Sequence, residues 1–300
     1  MNKPNVLVVG SINMDLVSYS ERIPQVGETV LGQRFVTVPG GKGANQALAA
    51  ARLGAQVTLL GAAGLDNYGE ELLKHLQQNG VDVSLVQRVP TSTGVALINV
   101  DAQGNNQIVV IPGANFTLQE GDLEKNQQAF AKADIVVLQL EVPLSTVGKA
   151  LELAALHKKP VILNPAPAQP IPTTWLSKIA YLVPNEHEVQ LISGHSDDFY
   201  AELRQQLNGT LVVTQGERGV SYAAKEQMVQ KVPAFPVQAI DSTAAGDAFI
   251  GGMSVALAEG FTLQEAIRFA SAGAALSVTR QGAQTSLPLR KEVEDFLEDK

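Results

Sequence analysis

Short apolar runs alternate along most of this chain with longer segments whose apolar residues recur at helical spacing. Residues 6–10, 57–61, 135–140, 161–164, 181–183 and 211–214 are such runs, the pattern expected of strands buried on both faces of a parallel sheet. Helical patterns over residues 47–53, 70–79, 120–132 and 144–157 separate them, and another opens at Asn185; Gly54 and Gly80 supply stop signals. The alternation predicts an α/β fold, a doubly wound, mostly parallel sheet flanked by helices. Two stretches break the rhythm. Residues 16–38 mix Gly and Pro with β-formers, at 29–31 and 34–38, and residues 83–86, 93–100 and 108–111 also read as strands. A polar turn at 103–107 makes 94–111 a hairpin. Lid strands at about 15–38 and 94–111 are expected to pair in a small β-sheet beside the main body, able to serve as a lid. No linker divides the chain, so a single domain over residues 1–300 is expected.

The C-terminal third carries a short strand pattern at 237–240 and a buried helix pattern at 248–258 closed by Gly260. Helices follow at 263–278, with Gly260 and Gly273 read as breaks, and at 290–297. The stretch Asp241-Ser-Thr-Ala-Ala-Gly-Asp247 therefore lies at the entry to an apolar helix beginning near Ala245. The first N–H groups of a helix lack intrahelical partners and carry partial positive charge, so they hold anions. Small residues at 244–246 keep that end open. A carboxylate there suits phosphoryl transfer, Asp247 taking the proton of an attacking hydroxyl while N–H groups stabilise the transferring group. The plain alternative is an acidic residue that only complements the helix dipole.

Composition narrows the choices. Hydrophobic residues make up 45% of the 300 and charged residues 17%, with a mean hydropathy of +0.06, which describes a compact soluble protein with a sizeable core. The 22 basic and 30 acidic residues give a formal charge of -8 without long blocks of one sign. That argues against nucleic acid or a membrane surface as partner. Cysteine is absent, which excludes disulfides, zinc–thiolate sites and thiol nucleophiles. The four histidines, 75, 157, 187 and 195, show no metal spacing. With neither a signal-peptide pattern nor a run of about 18 apolar residues, the expected location is cytoplasmic. The Asn-x-Thr triplets at Asn115 and Asn208 then carry little weight as glycosylation acceptors.

Other candidates sit at the C-terminal ends of predicted strands, where open α/β sheets bind ligands. Asn13 and Asp15 follow the first strand and suit polar contacts to a hydroxylated substrate, or else an Asx turn; Glu141 directly follows the strand at 135–140. Pro39-Gly-Gly-Lys-Gly-Ala-Asn-Gln46 opens a helix with glycines that permit close approach of a ligand to backbone. Two generic explanations fail on spacing. Gly43 stands where a Walker A loop needs Ser or Thr after Lys42, and Gln46 where a dinucleotide loop needs Gly. A tight turn remains open. Thr214-Gln-Gly-Glu-Arg-Gly219 suits nucleotide phosphates or a plain hairpin.

These weak signals occur in one order that resembles the PfkB carbohydrate kinases over the whole chain. The resemblance rests on Gly10-Ser-Ile-Asn-Met-Asp15, Gly40-Gly-Lys-Gly-Ala-Asn-Gln46, Leu140-Glu141, Pro184-Asn-Glu-His-Glu188, Thr214-Gln-Gly-Glu-Arg-Gly219, Asp241-Ser-Thr-Ala-Ala-Gly-Asp247 and Arg280-Gln-Gly-Ala-Gln284. It implies transfer of the γ-phosphoryl group of ATP to the C5 hydroxyl of D-ribose, with Asp247 as catalytic base and a lid that also pairs two subunits as a homodimer. Sugar contacts would come from Asn13, Met14, Asp15, Gly41, Lys42, Gly43, Ala44, Asn45, Glu141 and Asp247. ATP would lie against Asn185, Thr214, Gln215, Gly216, Glu217, Arg218, Gly219 and Ser271, with Ala245, Gly246 and Asp247 at its phosphates. Glu188 would be associated with Mg2+, and Asp241, Thr243, Ser277, Arg280, Gly282 and Ser286 would hold a monovalent cation, K+. Two positions depart from the family's common pattern: Ala244, where Gly is usual and Ala occurs, and Ser271, where His is frequent. The competing expectations are another sugar or nucleoside kinase of this family, an inert sugar-binding protein on the same scaffold and, more remotely, a dehydrogenase.

Overall fold

The structure is a computed structural model and describes residues 3–193 and 199–300; His195 lies outside them. Its larger sheet has nine strands in the order β13-β12-β11-β10-β9-β8-β1-β4-β5. These are β1 (Asn5–Val9), β4 (Gln56–Gly64), β5 (Val81–Val89), β8 (Ile135–Leu138), β9 (Val161–Leu163), β10 (Tyr181–Leu182), β11 (Thr210–Thr214), β12 (Val220–Ala224) and β13 (Gln230–Val232). Pairing is parallel from β5 to β11, and β12 and β13 add an antiparallel edge. Strand order reverses between β1 and β8, so their C-terminal ends open a crevice at the topological switch point.

Alternation along β1 shows why both faces are covered. Val6 and Val8 point into one apolar cluster, and Leu7 and Val9 into another. The first cluster is capped by α1 (Lys42–Arg52), α2 (Asn67–Gln78), α8 (Ala245–Ala258), α9 (Leu263–Val278) and α10 (Arg290–Glu298). The second is capped by α3 (Glu120–Lys125), α4 (Gln127–Lys132), α5 (Leu144–Leu156), α6 (Glu186–Ser193) and α7 (Phe199–Gln206). Truncating a filled position such as Phe130, fully buried in the second cluster, to Ala costs roughly 3–5 kcal/mol. At the contact between α8 and α1, a Cβ on Gly251 would stand 2.4 Å from the Ala49 Cβ and 2.9 Å from the Ala50 nitrogen. That close approach brings the start of α8 against the start of α1.

A second sheet of four strands has the order β3-β2-β6-β7. It consists of β2 (Asn13–Ser20), β3 (Gly32–Gly40), β6 (Gly94–Val100) and β7 (Asn106–Ile111). The expected hairpin is present, β6 and β7 pairing antiparallel, and β6 runs parallel to β2. Asn13 to Asp15 pair with Gly40 to Val38, so the root of this sheet meets the mouth of the crevice.

Several local expectations are corrected. Helix α1 begins at Lys42, five residues before the expected start, and the glycine-rich stretch forms its first turn. Residues 120–132 form two short helices that meet at Asn126, whose φ of -105° and ψ of 19° leave the helical region. Residues 29–31 and 237–240 are not strands; Pro233 and Pro236 remove backbone donors just after β13, which ends the ladder before 237–240 can join. Strand β13 itself, three residues long, was not expected. Gly273 does not interrupt α9; a Cβ there would stand 3.9 Å from Val293 and 4.0 Å from Pro288, where the C-terminal segment packs on the helix.

Candidate active site

Asp247 lies in the first turn of α8 and is 7% exposed. Its Oδ2 accepts from Asn45 Nδ2 at 2.9 Å and its Oδ1 from Gln46 Nε2 at 2.9 Å. Both donors stand in the first turn of α1, two hundred residues away in sequence. Burial pushes the Asp247 carboxyl above the ordinary range; Lys42, Asn45 and Gln46 act against it, and Glu141 adds to it. A carboxylate so placed is a stronger base than one in water.

Four more charges face the same point. Gly41 precedes α1 with φ of 88°, and a Cβ there would meet the Asn13 nitrogen at 2.6 Å, so glycine lets the two segments close on each other. Glu141 Oε2 accepts from the Lys42 backbone N–H at 3.1 Å and from the Ser11 hydroxyl. Burial, with Glu141 and Asp247 nearby, pushes Asp15 up to about 7, and Lys42 relieves part of this. Glu188 is raised, chiefly by burial, with the Asn185 N–H and Lys42 acting against that. Burial alone would pull the Lys42 ammonium down, but Asp247, Glu141, Glu188 and Asp15 outweigh it and hold it above its usual value. The cluster thus has one cation for four carboxyl groups, which suits a polyhydroxylated ligand better than a phosphorylated one. Asn13 is buried, and its Oδ1 accepts from Asn115 Nδ2 at 2.7 Å. Asn115, a glycosylation triplet in the sequence, is an internal strut for Asn13 and also binds the Ile12 backbone. Met14 and Ala44 are fully buried in the apolar core, so their side chains do not line this cluster.

On the other side of the α8 N-terminus lies a cleft of about 830 Å³. Thr214, the turn from Gly216 to Gly219, Ala245, Gly246 and Ser271 all line it, with Phe235 and Val237 among the apolar walls. The turn at 214–219 is a hairpin between β11 and β12, and it stands at the edge of this cleft. Gln215 Nε2 donates to Glu186 Oε1 at 3.1 Å and Arg218 pairs with the same carboxylate, tying the turn to α6. The Ser271 hydroxyl is buried without a partner among the described residues. Asn185 and Glu188 form a reciprocal cap on α6: the Glu188 carboxylate accepts from the Asn185 N–H at 2.8 Å, and Asn185 Oδ1 from the Glu188 N–H at 2.9 Å. At the start of α8 the Ala245 N–H donates to the Ser242 carbonyl at 3.2 Å, which leaves Gly246 and Asp247 to present the helix-start donors.

Behind the cleft, Asp241 clamps a second loop. Its Oδ1 accepts from the N–H and hydroxyl of Thr243 at 2.9 and 2.6 Å, and its Oδ2 from the Gly282 N–H at 2.9 Å. Although burial acts against them, these bonds hold its carboxyl below the ordinary range. The buried hydroxyls of Ser277 and Ser286 meet at 2.9 Å, and the Ser277 carbonyl accepts from the Arg280 N–H. All six residues expected to hold a monovalent cation are therefore brought into one loop pair. One carboxylate among carbonyl and hydroxyl oxygens is a donor set for a hard cation of low charge. Among the described residues no group of three or more His, Cys, Asp or Glu is arranged to hold a metal ion, and no helix is long and apolar enough to cross a membrane.

Three residues with a stake in this site were assigned no role from the sequence. Gln46 stands there as a failed glycine position and, like Gln284, at the end of a motif that carries the resemblance. Gln139, at the end of β8, and Gln284, in the 280–286 loop, are both buried and complete the hydrogen bonding behind Asn45 and Gln46. A buried glutamine next to a strand end is the only signal that could have marked Gln139.

The profile of the pfkB family carbohydrate kinases matches residues 3–290. A ribokinase of Bacillus subtilis is 44% identical over 98% of this chain and 99% of its own length. A deoxyribokinase of Salmonella typhimurium is 37% identical, covering 98% of both chains. The solved structure of Arabidopsis thaliana ribokinase complexed with ribose and ATP superposes with a TM-score of 0.92 at 32% identity, covering 99% of each chain.

Proposed function

This chain belongs to the pfkB family of carbohydrate kinases, and we propose that within it the protein is a ribokinase, transferring the γ-phosphoryl group of ATP to the C5 hydroxyl of D-ribose. The observation that carries the reading is the position of Asp247, between the carboxylate-rich cluster and the open cleft at the start of α8. Support also comes from relatives named for ribose phosphorylation over nearly the whole chain. Sugar in the cluster would contact Asn13, Asp15 and the Gly41 to Asn45 turn, with Glu141 fixing the Lys42 backbone. ATP would occupy the cleft, its adenine between the apolar walls and its phosphates at the N–H groups of Gly246 and Asp247.

Asp247 would accept the proton of the C5 hydroxyl as that oxygen forms its bond to the γ-phosphorus and the bond to the β,γ-bridging oxygen breaks, releasing ADP and ribose 5-phosphate. N–H groups at the start of α8 would stabilise the charge on the transferring group without reorganising. Glu188, half-buried and with only one of its oxygens in the cap, would hold a magnesium ion at the phosphates. Such an ion would neutralise developing phosphate charge, and a monovalent cation in the Asp241 loop would order the wall of the anion site. The small sheet would close over the sugar and exclude water, which would otherwise compete as acceptor. Its exposed apolar residues, Phe35, Leu97 and the edge strand β7, support pairing of two such sheets as a homodimer. The enzyme would be cytoplasmic, acting on small molecules as one kinase domain over residues 1–300.

The test is ADP release with ATP and magnesium against ribose, 2-deoxyribose, fructose, ribose 5-phosphate and nucleosides, each with and without potassium. Turnover dominated by ribose and raised by potassium is expected. Preference for 2-deoxyribose or a nucleoside would overturn the substrate while keeping the chemistry, and silence despite sugar binding would leave a binding protein.

A further inference from the structure

Each oxygen of Asp247 accepts from a side-chain amide, and each of those amides is gripped from behind by a second one. Gln284 Nε2 donates to Asn45 Oδ1 at 3.0 Å, and Gln139 Nε2 donates to Gln46 Oε1 at 2.6 Å. Gln284 comes from the 280–286 loop and Gln139 from the end of β8, so the two grips arrive from separate segments of the chain. Both are buried, at 2% and 0% exposure, and lie outside the residues that face sugar or nucleotide. Each has an outer oxygen that finds no partner among the described residues.

The polarity of this chain of amides is fixed at its centre. An ionised carboxylate only accepts, so Asn45 and Gln46 must turn N–H groups toward it and oxygens away; the groups behind those oxygens must then be donors. Read in the other direction, donors at Gln284 and Gln139 oblige Asn45 and Gln46 to present N–H groups to Asp247. A protonated Asp247 would need an acceptor for its O–H, and both sides offer donors. Neither amide can reverse alone without setting N–H against N–H at its rear; the glutamine behind it would have to turn with it.

We propose that Gln139 and Gln284 are positioning residues that lock the amides of Gln46 and Asn45 so that both oxygens of Asp247 face donors and the carboxylate is delivered to the sugar hydroxyl in its ionised form. The inference rests on the reading of Asp247 as the base. Other charged groups facing Asp247 are Lys42 on α1, Glu141 after β8, Asp15 on β2 and Glu188 on α6. Three of these are carboxyl groups, which with burial favour protonation, so the amides and Lys42 are what oppose it. The two arms are unequal. Gln46 Nε2 also donates to Asn164 Oδ1 at 3.2 Å, and Asn164 is anchored on the Val183 carbonyl at 3.0 Å, whereas the Asn45 oxygen relies on Gln284.

The experiment is the pH dependence of kcat at saturating ribose and ATP for Gln284→Met, Gln139→Met and Asp247→Asn beside the wild type. With Gln284→Met, Asn45 is free to reverse and accept from a protonated Asp247, so the acid limb is expected to move up by about one pH unit, with activity recovering toward the wild-type plateau at higher pH. Gln139→Met is expected to move it the same way by less. Loss of packing would lower kcat at every pH and leave the limb in place. Limb position is independent of the amount of active enzyme, so a partly folded preparation still reads it, and Gln139→Met carries the test should Gln284→Met not accumulate. An unmoved limb with inactive Asp247→Asn overturns the positioning role alone. Turnover retained by Asp247→Asn overturns the base on which it rests.

Discussion

Asp241 and Asp247 stand at the two ends of one short loop, and their surroundings push the two carboxyl groups in opposite directions. Asp241 accepts from two backbone N–H groups and a hydroxyl, and its carboxyl is held low. Asp247 is more deeply buried, faces other carboxylates, and is held high although two amides grip it. A carboxylate saturated by donors is a poor base and a good anchor; one short of solvation is a good base and a poor anchor. Six residues of sequence therefore separate a carboxyl group suited to anchoring from one suited to acting as a base, and the difference lies in which partners each side chain meets.

Substituting the two aspartates is the direct way to break this comparison. Asp247→Asn keeps the size of the side chain but removes the base and turns an N–H toward one of the two donors, so kcat for ribose is expected to fall at least about a hundredfold with an unchanged circular dichroism spectrum. Steady-state kinetics settle it, and activity within about tenfold of the wild type would show that the loop end chosen here is the wrong one. Asp241→Ala should act differently. It removes two hydrogen bonds that shape the turn at Thr243 and the one that ties it to Gly282, so turnover is expected to fall roughly tenfold and to lose its response to potassium. The acid stability should change with it. Because the folded carboxyl of Asp241 lies below its unfolded value, its stabilisation is present above the unfolded pKa and lost as pH falls through the folded one. Wild type should therefore lose its thermal advantage over Asp241→Ala below about pH 4, and an advantage constant from pH 7 to pH 3 would refute the assignment.

How much of this was legible in the sequence divides along the same line. The central strands of the large sheet and the start of α8 follow from local pattern, because residues 135–138 or 245–258 are apolar enough to admit one solution. Asp247 at a helix start was visible for the same reason. The start of α1 was not. Gly41 and Gly43 look like a loop, yet they serve close approach of a helix to the first strand's exit, where a Cβ on Gly43 would stand 2.5 Å from the Ser11 nitrogen. Residues 237–240 read like a strand but follow two prolines, and Val237 and Ala239 line the open cleft instead. The amides around Asp247 join positions 45, 46, 139, 247 and 284, and no spacing rule connects residues on four separate segments. The sites of the cation loop and the nucleotide turn came from resemblance in motif order, and composition alone would not have found them.

Asp15 sharpens the comparison from the sugar side. Its folded pKa near 7 lies above the unfolded value, so its contribution to stability is fully present at low pH and is lost as pH rises through 7. Asp15→Asn should thus melt higher than wild type at pH 8, by less at pH 5, and close to it only below about pH 4, the ordinary carboxylate range. Water reaches this half-buried side chain, so the gain is on the order of 2 kcal/mol, a shift of several degrees. The same substitution should raise the KM for ribose while leaving that for ATP alone. A melting difference independent of pH would mean that Asp15 is ionised at neutrality like an ordinary surface carboxylate.

Ala244 gives the smallest effect and probes the hinge between the two aspartates. Its φ of 60° and ψ of 12° place it in the left-handed region just before α8, which for a residue with a Cβ costs about 1–2 kcal/mol. Glycine would remove that cost, although its greater freedom in the unfolded chain returns roughly 0.5–1 kcal/mol. Ala244→Gly is therefore expected to raise the melting temperature by no more than about 3 °C. Catalysis should change little, because Asp247 is held by amides from α1 and not by the loop that leads to it. A fall in kcat as large as that of Asp241→Ala would show that the loop positions the base after all, and the independence of the two aspartates would fail. A rise in the KM for ATP alone would place the effect of the alanine on the cleft wall, where Ala245 and Gly246 stand, and leave that independence intact.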